Sequence, residues 1–317
     1  MLSKAGTKSF LKTIEAYLSA PDDYVRTFTV RINGRKRHLI TYKADEKGAA
    51  LRYFHNHFAK AMSLCYSSCS NSYAYKRGRG IHSCLEQHLQ SNTFLKSDIH
   101  EYFNSIDYEK LLNIILEDSA CKKRPMHVAR LLKACFYNGH LPIGFISSPV
   151  LSDLYLHKLD KQFLGREDII YTRYADDFII SGRDNIDVLE QVKNELAHAL
   201  SEYGLSLNRK KTYCRTLKKP GDAIHLLGLN LVNDGPNPNR ITVSDRYIRD
   251  TSKDICQFMN ECHEMEAEDK ERELAVLHGK IEFIRHSSRS SYKKLERMVS
   301  VKSGKKVDLL LLDDAES

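Results

Sequence analysis

The spacing of apolar residues along the chain predicts a succession of helices and strands. Apolar side chains that recur every three or four positions predict helices at 6–19, 47–66, 81–90, 108–118, 126–137, 149–164 and 186–203. Runs rich in β-branched and aromatic residues predict strands at 25–32, 38–42, 94–99, 169–174, 178–181 and 224–232. A loop rich in Asn and Pro follows at 233–239, and the remainder is predicted to be mostly helical.

Turn residues connect the strands into two predicted hairpins. Asn33-Gly34, a strong signal for a two-residue turn, joins the first pair, and Ala175-Asp176-Asp177 lies between the second pair. A hairpin at the centre of the chain predicts an antiparallel sheet covered by helices on one face, an α+β fold with a helical C-terminal part. This hairpin, and the absence of a G-x-G-x-x-G segment after a strand, argue against a parallel dinucleotide-binding sheet.

The composition is that of a soluble protein, because 42% of the residues are hydrophobic and 28% are charged. The longest aliphatic run, 309–312, is far shorter than the ~20 apolar residues of a membrane-spanning helix, and the N-terminus lacks a signal-peptide pattern. Both observations predict a cytoplasmic protein with no membrane partner. The eight cysteines include no C-x-x-C pair, so we expect buried, unreactive thiols rather than a zinc ribbon or a disulfide framework.

Basic residues cluster towards the C-terminus. The net charge of +8 permits a polyanionic partner, and 285–306 contains eight Lys or Arg residues against one acid, Glu296. A solvated helix face would explain such a run equally well. Next to a site for nucleotide chemistry, contact with a nucleic-acid backbone becomes the better interpretation. The candidate contacts are Arg285, Arg289, Lys293, Lys294 and Arg297.

Three carboxylates are positioned for chemistry with metal ions. Phosphoryl transfer with two divalent ions, roughly 3.5–4 Å apart, requires acidic side chains brought together on rigid elements. Asp176 and Asp177 are adjacent at a tight turn, where their repulsion is unfavourable unless a cation offsets it. Asp98 ends another predicted strand, where a lone Asp is more often a helix cap or a turn residue. The adjacent pair between two strand-forming segments instead predicts a metal site.

Five segments resemble, in order, the sequence boxes of reverse transcriptases. Tyr174-Ala175-Asp176-Asp177 looks like the signature box of the family, and 171–177 resembles that of the bacterial retron enzymes. The other four segments are similar to the first carboxylate box, the box that supports template and incoming nucleotide, a later box that supplies a lysine, and the start of the primer-grip hairpin. They are 98–107, 141–149, 205–212 and 227–229. One box alone would be a weak signal, whereas five in the right order are highly specific.

The resemblance implies the right-hand polymerase fold of fingers, palm and thumb, with an antiparallel palm sheet and a helical thumb. The expected segments are 1–90 for the N-terminal helix and fingers, 91–107 for the palm, 108–165 for helices of fingers and palm, 166–240 for the rest of the palm, and 241–317 for the helical thumb and C-terminal tail. All three carboxylates then belong to the palm.

The resemblance also implies a role for each carboxylate. Asp98 and Asp176 are expected to coordinate two Mg²⁺ ions, with Mn²⁺ as an alternative, while Asp177 assists and the carbonyl group of Ile99 contributes a ligand. Phe103 matches the aromatic gate that crowds a ribose 2′-hydroxyl, which implies dNTP substrates and a DNA product. An ordinary core phenylalanine is the alternative.

Basic residues are expected at the triphosphate and the pyrophosphate. Lys211 is the candidate for protonating the departing pyrophosphate, with Lys210 as its rival and a solvated lysine at a strand edge as the alternative to both. Lys36 and Arg37, at the tip of the first hairpin, are expected to hold the triphosphate, because such side chains suit phosphate contacts. Their competitors are Arg77 and Arg79.

The chain departs from the family pattern at three places. Ile143 stands before Gly144 where the family usually has Gln; both residues are candidate nucleotide contacts, although an aliphatic side chain cannot hydrogen-bond the nucleotide. Segment 84–88 keeps only His88 of the Asn-Ala-x-x-His pattern of retron enzymes, and 226–228 keeps only the glycine of their Val-Thr-Gly box. These differences favour a retron-like or phage-defence-associated enzyme over a retron enzyme proper.

The favoured function is RNA-directed DNA synthesis on a dedicated structured noncoding RNA, which serves as template and primer, in bacterial anti-phage defence. A defence effector protein or a second copy of the chain is a further expected partner. Phe103 and the Tyr-Ala-Asp-Asp box oppose an RNA-dependent RNA polymerase. The intact carboxylates disfavour a non-catalytic RNA-binding scaffold or toxin-neutralising partner, and Ile143 leaves template-independent DNA synthesis open.

Overall fold

The chain divides into two units in the computed structural model. The first consists of Met1–Cys84 and Phe94–Cys214, and the second of Leu85–Thr93 and Arg215–Ser317. Among the described residues, no helix is both long and apolar enough to cross a membrane. The residues that the structure describes are 4–32, 35–66, 69–184, 186–304 and 306–307.

The N-terminal part of the first unit consists of helices and a long hairpin. β1 and β2 pair antiparallel with Val25 opposite Tyr42, which confirms the predicted hairpin. Its Asn33-Gly34 turn lies outside the described residues. The elements here are α1 (Lys4–Ser19), β1 (Val25–Ile32), β2 (Arg35–Tyr42), α2 (Glu46–Cys65) and α3 (Ile81–Glu86).

A four-stranded sheet carries the predicted carboxylates. Its strands are β3 (Thr93–Asp98), β4 (Ile170–Tyr174), β5 (Asp177–Gly182) and β6 (Tyr213–Thr216), in the order β4-β5-β3-β6. β4 and β5 form the second predicted hairpin. The accompanying helices are α4 (Tyr102–Ser105), α5 (Tyr108–Leu116), α6 (Ser119–Lys122), α7 (Pro125–Lys133), α8 (Ser148–Tyr155), α9 (His157–Leu164) and α10 (Ile186–Glu202).

The central strands are buried on both faces. In β5 every residue from Phe178 to Ser181 is buried. Leu95 of β3, Phe178 and Leu196 of α10 belong to one apolar cluster. Full burial of each such side chain stabilises the fold by about 1.5–3 kcal/mol, so the hairpin that presents the two adjacent aspartates is held rigidly.

Three predicted helices are shorter or interrupted. The helix predicted at 126–137 ends at Lys133. α3 ends at Glu86, because 87–90 forms turns, so the helix predicted at 81–90 is too long. The helix predicted at 149–164 is two helices, α8 and α9, separated at Leu156, whose ψ of 6° leaves the helical region. Buried apolar residues continue across this break, so their spacing gave no signal of it.

The second unit combines a small antiparallel sheet with long helices. The single strand predicted at 224–232 is wrong, because two strands flank a turn at Leu227 and Gly228, with φ of 50° and 86°. Glycine takes this left-handed conformation readily. The apolar run gave no sign of the turn, whereas the resemblance placed the start of a hairpin at 227–229, where β7 and β8 meet. The elements are β7 (Ala223–Leu226), β8 (Leu229–Val232), β9 (Arg240–Thr242), α11 (Asp245–Glu261), α12 (Ala267–Ser287) and α13 (Arg289–Ser303). The α+β class and the helical C-terminal part are therefore confirmed.

The cysteines follow the prediction only in part. All eight are free thiols, and Cys69, Cys84, Cys121 and Cys135 are buried. Cys65, however, is exposed at the end of α2, and the remaining three are partly exposed. Burial of a thiol therefore could not be assumed from residue type alone.

Candidate active site

The adjacent aspartates lie at the turn between β4 and β5. Tyr174 pairs with Asp177 across the hairpin, which leaves Ala175 and Asp176 as the turn residues. Ala175 has a φ of 57°, in the left-handed region. The carbonyl oxygen of Asp176 accepts a hydrogen bond of 3.0 Å from the backbone N–H of Ile99, just after β3. The turn is therefore tied to the strand that carries the third predicted carboxylate.

Asp98 ends β3 and is only 3% exposed. Its Oδ1 accepts a hydrogen bond from Nδ2 of Asn208 at 3.0 Å, and its Oδ2 lies 2.6 Å from Nζ of Lys211. The backbone N–H of Asn208 also donates to the carbonyl oxygen of Asp98 at 2.7 Å. These bonds bring Lys211, and not its rival Lys210, to the carboxylate.

Burial and repulsion from neighbouring charges raise the pKa of Asp176 and of Asp177. Burial raises the pKa of Asp176, and the nearby charge of Asp98 raises it further, whereas Lys211 and Arg37 lower it. Burial, followed by the charges of Asp176 and Asp98, raises the pKa of Asp177 to about 6. A bound divalent cation would offset this repulsion.

A cavity of about 380 Å³ contains most of the predicted residues. Asp98, Asp176 and Lys211 line it together with Lys36 and Arg37 from β2. Its volume falls within the range of small-ligand sites, about 300–1,000 Å³. Acidic and basic groups in one cavity suit a polyanionic ligand that binds with metal ions. Other predicted or newly identified lining residues are Ile99, Phe103, Ile143, Asn208 and His38.

Contacts between β2 and the loop before α8 fix the wall that carries Ile143. The backbone N–H of Ile40 donates to the carbonyl oxygen of Ile143 at 3.0 Å. The ring of Tyr42 stacks on Phe145 with 5.3 Å between centroids, and its hydroxyl accepts a hydrogen bond of 2.9 Å from the N–H of Ile146. The hairpin and the loop therefore form one packed wall.

Two of the residues predicted for catalysis or nucleotide binding do not line the cavity. Gly144 has a φ of 122°, and a Cβ added there would lie 1.9 Å from the carbonyl oxygen of Ile40. Glycine is thus required here for the close approach of β2, so Gly144 has a structural role in the wall of the cavity. Asp177 is adjacent to Asp176 in the hairpin but is likewise not a lining residue.

Phe103 presents part of its ring to the cavity from α4. It packs edge-on against Tyr102, with 5.6 Å between ring centroids. Tyr102 is buried, and its hydroxyl donates to the carbonyl oxygen of Ser152. Phe103 is therefore held against a fixed neighbour, as a steric gate requires.

The competing arginines lie away from this cavity. Arg79 donates to the carbonyl oxygen of Ser70 and packs over the ring of Tyr73, 5.2 Å from its centroid. Arg77 lines a separate cavity of about 410 Å³. Neither arginine lines the cavity that contains the carboxylates.

The C-terminal basic candidates belong to the second unit. All five are exposed, on α12 or α13. Two of them take part in surface ion pairs, Arg285 with Glu282 at 3.0 Å and Lys294 with Asp245 at 2.7 Å. Exposed pairs of this kind are weak and leave the charges available to a polyanion.

The donor set of the cavity fits Mg²⁺ or Mn²⁺. Carboxylate and carbonyl oxygens are hard ligands of the kind Mg²⁺ prefers. The positive charge of Lys211 pairs with Asp98, as that of a metal ion would. In the described part of the chain, the three-residue set with ligand atoms within 4.8 Å of one another is Cys65, Asp118 and Cys121, not the three aspartates. The aspartates are thus spread more widely than ligands around a single ion.

Sequence reasoning missed the polar residues behind the turn. Arg173, for which the sequence pattern indicates no role, is buried against Asp160 and Asp153. A buried Asp on the apolar face of α9 was the available signal, because such a residue requires a charged or hydrogen-bonding partner. Asn208 lies in the predicted lysine-containing box, but its bond to Asp98 depends on the tertiary fold.

Comparison with known proteins identifies relatives of this chain. The reverse transcriptase (RNA-dependent DNA polymerase) family profile matches residues 49–231. The retron Ec86 reverse transcriptase of Escherichia coli is 28% identical over 215 residues, covering 67% of this chain and 65% of that protein. The retron Mx65 reverse transcriptase of Myxococcus xanthus is 24% identical over 255 residues, covering 69% and 57%. The chain thus spans less than two thirds of the length of these relatives.

Solved structures of similar fold include yeast telomerases. Apo telomerase from Candida tropicalis gives a TM-score of 0.54 at 12% identity, covering 89% of this chain and 58% of that one. Telomerase from Candida albicans, in complex with a fragment of telomeric RNA, gives 0.52 at 12% identity, covering 90% and 59%. These likenesses confirm the predicted right-hand polymerase fold. Because the family profile spans more than half of the chain, and retron enzymes are among its relatives, the chain belongs to the reverse transcriptase family.

Proposed function

We propose that this chain is an RNA-directed DNA polymerase of the retron-like group, which makes DNA on a dedicated structured noncoding RNA. The observation that carries this proposal is one cavity shared by Asp98, Asp176, Lys211, Lys36 and Arg37. Acidic oxygens for metal ions and cations for phosphates are the two requirements of nucleotidyl transfer from a triphosphate.

Asp98 and Asp176 are the residues proposed to hold two Mg²⁺ ions, or Mn²⁺, with Asp177 alongside and the carbonyl group of Ile99 as a further ligand. When bound, the ions supply activation of the primer hydroxyl and neutralisation of the triphosphate. Lys211 lines the same cavity and pairs with Asp98 at 2.6 Å, so its ammonium lies beside a carboxylate that would hold the ions. There it donates a proton to the departing pyrophosphate.

Lys36 and Arg37 are proposed to hold the triphosphate. The charge of Arg37 already lowers the pKa of Asp176, which supports its action within the cavity. Phe103 is proposed to exclude ribonucleotides, because its half-buried ring lines the cavity and would crowd a 2′-hydroxyl. Ile143 offers only apolar contact, so nucleotide choice depends on shape and on pairing with the template.

The exposed basic residues of α12 and α13 are proposed to bind the phosphate backbone of structured RNA, which proteins recognise largely by shape and phosphate contact. The relatives are retron reverse transcriptases, which supports a noncoding RNA as template and primer. We extend this to a cytoplasmic role in anti-phage defence, with an effector protein or a second copy of the chain as partner.

Primer extension tests the proposal. The purified protein, given an RNA template, a DNA primer, dNTPs and Mg²⁺, is expected to extend the primer. No extension is expected when rNTPs replace the dNTPs. Asp98→Asn and Asp176→Asn variants are expected to retain RNA binding and lose extension. DNA synthesis without regard to template would support template-independent polymerisation. RNA binding with no extension by the wild type would support the scaffold alternative.

A further inference from the structure

A buried arginine lies directly behind the aspartate turn. Arg173 is 1% exposed. Its guanidinium binds Asp160 through two bonds, from Nε to Oδ1 at 2.7 Å and from Nη2 to Oδ2 at 2.6 Å. Nη2 also donates to Oδ1 of Asp153 at 2.8 Å. The remaining nitrogen, Nη1, donates to the carbonyl oxygen of Ala175 at 2.9 Å.

The charges of this cluster balance. Lys76 lies 3.5 Å from Oδ2 of Asp153, so two cations face two carboxylates. The hydroxyl of Tyr171 also donates to Asp160, at 2.7 Å. Desolvation makes buried ion pairs weak contributors to stability, and apolar residues of similar volume often serve as well. A cluster built from four charges therefore suggests a geometric role.

The geometry that Arg173 controls is that of the turn. Ala175 is a non-glycine residue with a φ of 57°, a conformation that persists only where neighbours hold it. Arg173 holds the carbonyl group of Ala175, and Ile99 holds that of Asp176 at 3.0 Å. The carbonyl groups of two successive residues are thus each held by a different partner. Together these two bonds set the direction of the Asp176 side chain.

We propose that Arg173 is a positioning residue for the metal site. It locks the Ala175 peptide so that Asp176 faces the cavity shared with Asp98, and Asp160 in turn locks the guanidinium. Arg173 does not line the cavity, so its effect reaches metal binding through the turn and not through contact with nucleotide or RNA. The inference rests on the proposed function for its meaning, while metal binding itself is measurable without catalysis.

Arg173→Lys is the first variant, because it keeps the charge but cannot bond Asp160 bidentately and still reach Ala175. Residues that orient metal ligands typically contribute 10–100-fold to metal affinity or activity. We expect the Mn²⁺ dissociation constant, measured by electron paramagnetic resonance on the full chain, to rise about 10-fold. The Mg²⁺ concentration for half-maximal DNA synthesis should rise equally, with the KM for dNTP and RNA affinity unchanged.

A second variant covers the case in which Arg173→Lys does not fold. Arg173→Met combined with Asp160→Asn removes both charges together, which protein cores tolerate, yet still deletes the bond to Ala175. It is expected to weaken Mn²⁺ binding by a similar factor. Arg166→Lys is the matched control, since Arg166 also binds an aspartate bidentately, Asp168 at 2.9 and 2.6 Å, but does not contact the turn.

The outcomes separate cleanly. Unchanged Mn²⁺ affinity in a folded Arg173 variant, or an equal loss in Arg166→Lys, would overturn the positioning role. If wild-type protein binds Mn²⁺ but makes no DNA, the proposed function fails, while the comparison of Mn²⁺ affinities still decides the role of Arg173.

Discussion

Neutralising Asp177 should stabilise the protein when no divalent cation is present. Burial and the charges of Asp176 and Asp98 raise its pKa to about 6, from an ordinary value of 3.8. The folded state therefore holds this proton more tightly than the unfolded state, so folding stability falls as pH rises through this window. At 1.36 kcal/mol per pKa unit, the loss above the window is about 3 kcal/mol.

Urea unfolding in the presence of a chelator measures this loss. The free energy of unfolding of Asp177→Asn is expected to exceed that of the wild type by about 3 kcal/mol near pH 7.5. Near pH 5 the difference should be about half as large, because the carboxyl group of folded wild type is then largely protonated. Saturating Mg²⁺ should narrow the difference, because bound cations offset the repulsion of the Asp177 charge, which only the wild type carries.

Asp168→Asn is the control of opposite sign. A hydrogen bond from Arg166 lowers the pKa of Asp168. The Asp168→Asn substitution should therefore leave the free energy of unfolding unchanged or lower it near pH 7.5. If Asp177→Asn is no more stable than the wild type near pH 7.5, or if its advantage does not shrink near pH 5, the aspartates do not repel one another as described.

Three further variants test the cavity. Lys211→Ala should reduce kcat for DNA synthesis about 100-fold with little change in RNA affinity. A rise in KM with an unchanged kcat would contradict the role of Lys211 as proton donor. Phe103→Ala should admit rNTPs in primer extension, and continued exclusion would assign discrimination elsewhere. Gly144→Ala places a Cβ 1.9 Å from the carbonyl oxygen of Ile40 and should destabilise the fold by at least about 2 kcal/mol in urea unfolding, whereas an unchanged midpoint would show that the wall yields.

Local signals predicted the elements that carry the three aspartates, whereas the assignment of Asp98 to the same site came from the resemblance to reverse transcriptases. β-branched and aromatic flanks around Asp176 predicted the hairpin, and the polar end of an apolar strand predicted the place of Asp98. Both depend on short-range preferences, which the packed core preserves. The resemblance favours Lys211 over Lys210, and the structure places Lys211 against Asp98; its chemical role is a prediction.

Features that depend on tertiary packing were not predictable. Arg173 lies in a strand buried on both faces, so alternation of apolar and polar residues gave it no direction. The apolar run around Leu227 reads as one strand, and only the resemblance indicated a hairpin there, while the break at Leu156 leaves the apolar spacing intact. In each case neighbouring elements, rather than the local sequence, determine the conformation.

The central claim is templated DNA synthesis, and sequencing of the nucleic acid that copurifies with the protein tests it most directly. The wild type should carry a discrete DNA complementary to a copurifying structured RNA, and the Asp176→Asn/Asp177→Asn double variant should carry the RNA alone. The same RNA without DNA in both samples would contradict DNA synthesis on this RNA, and DNA of equal amount in both would show that these aspartates do not make it.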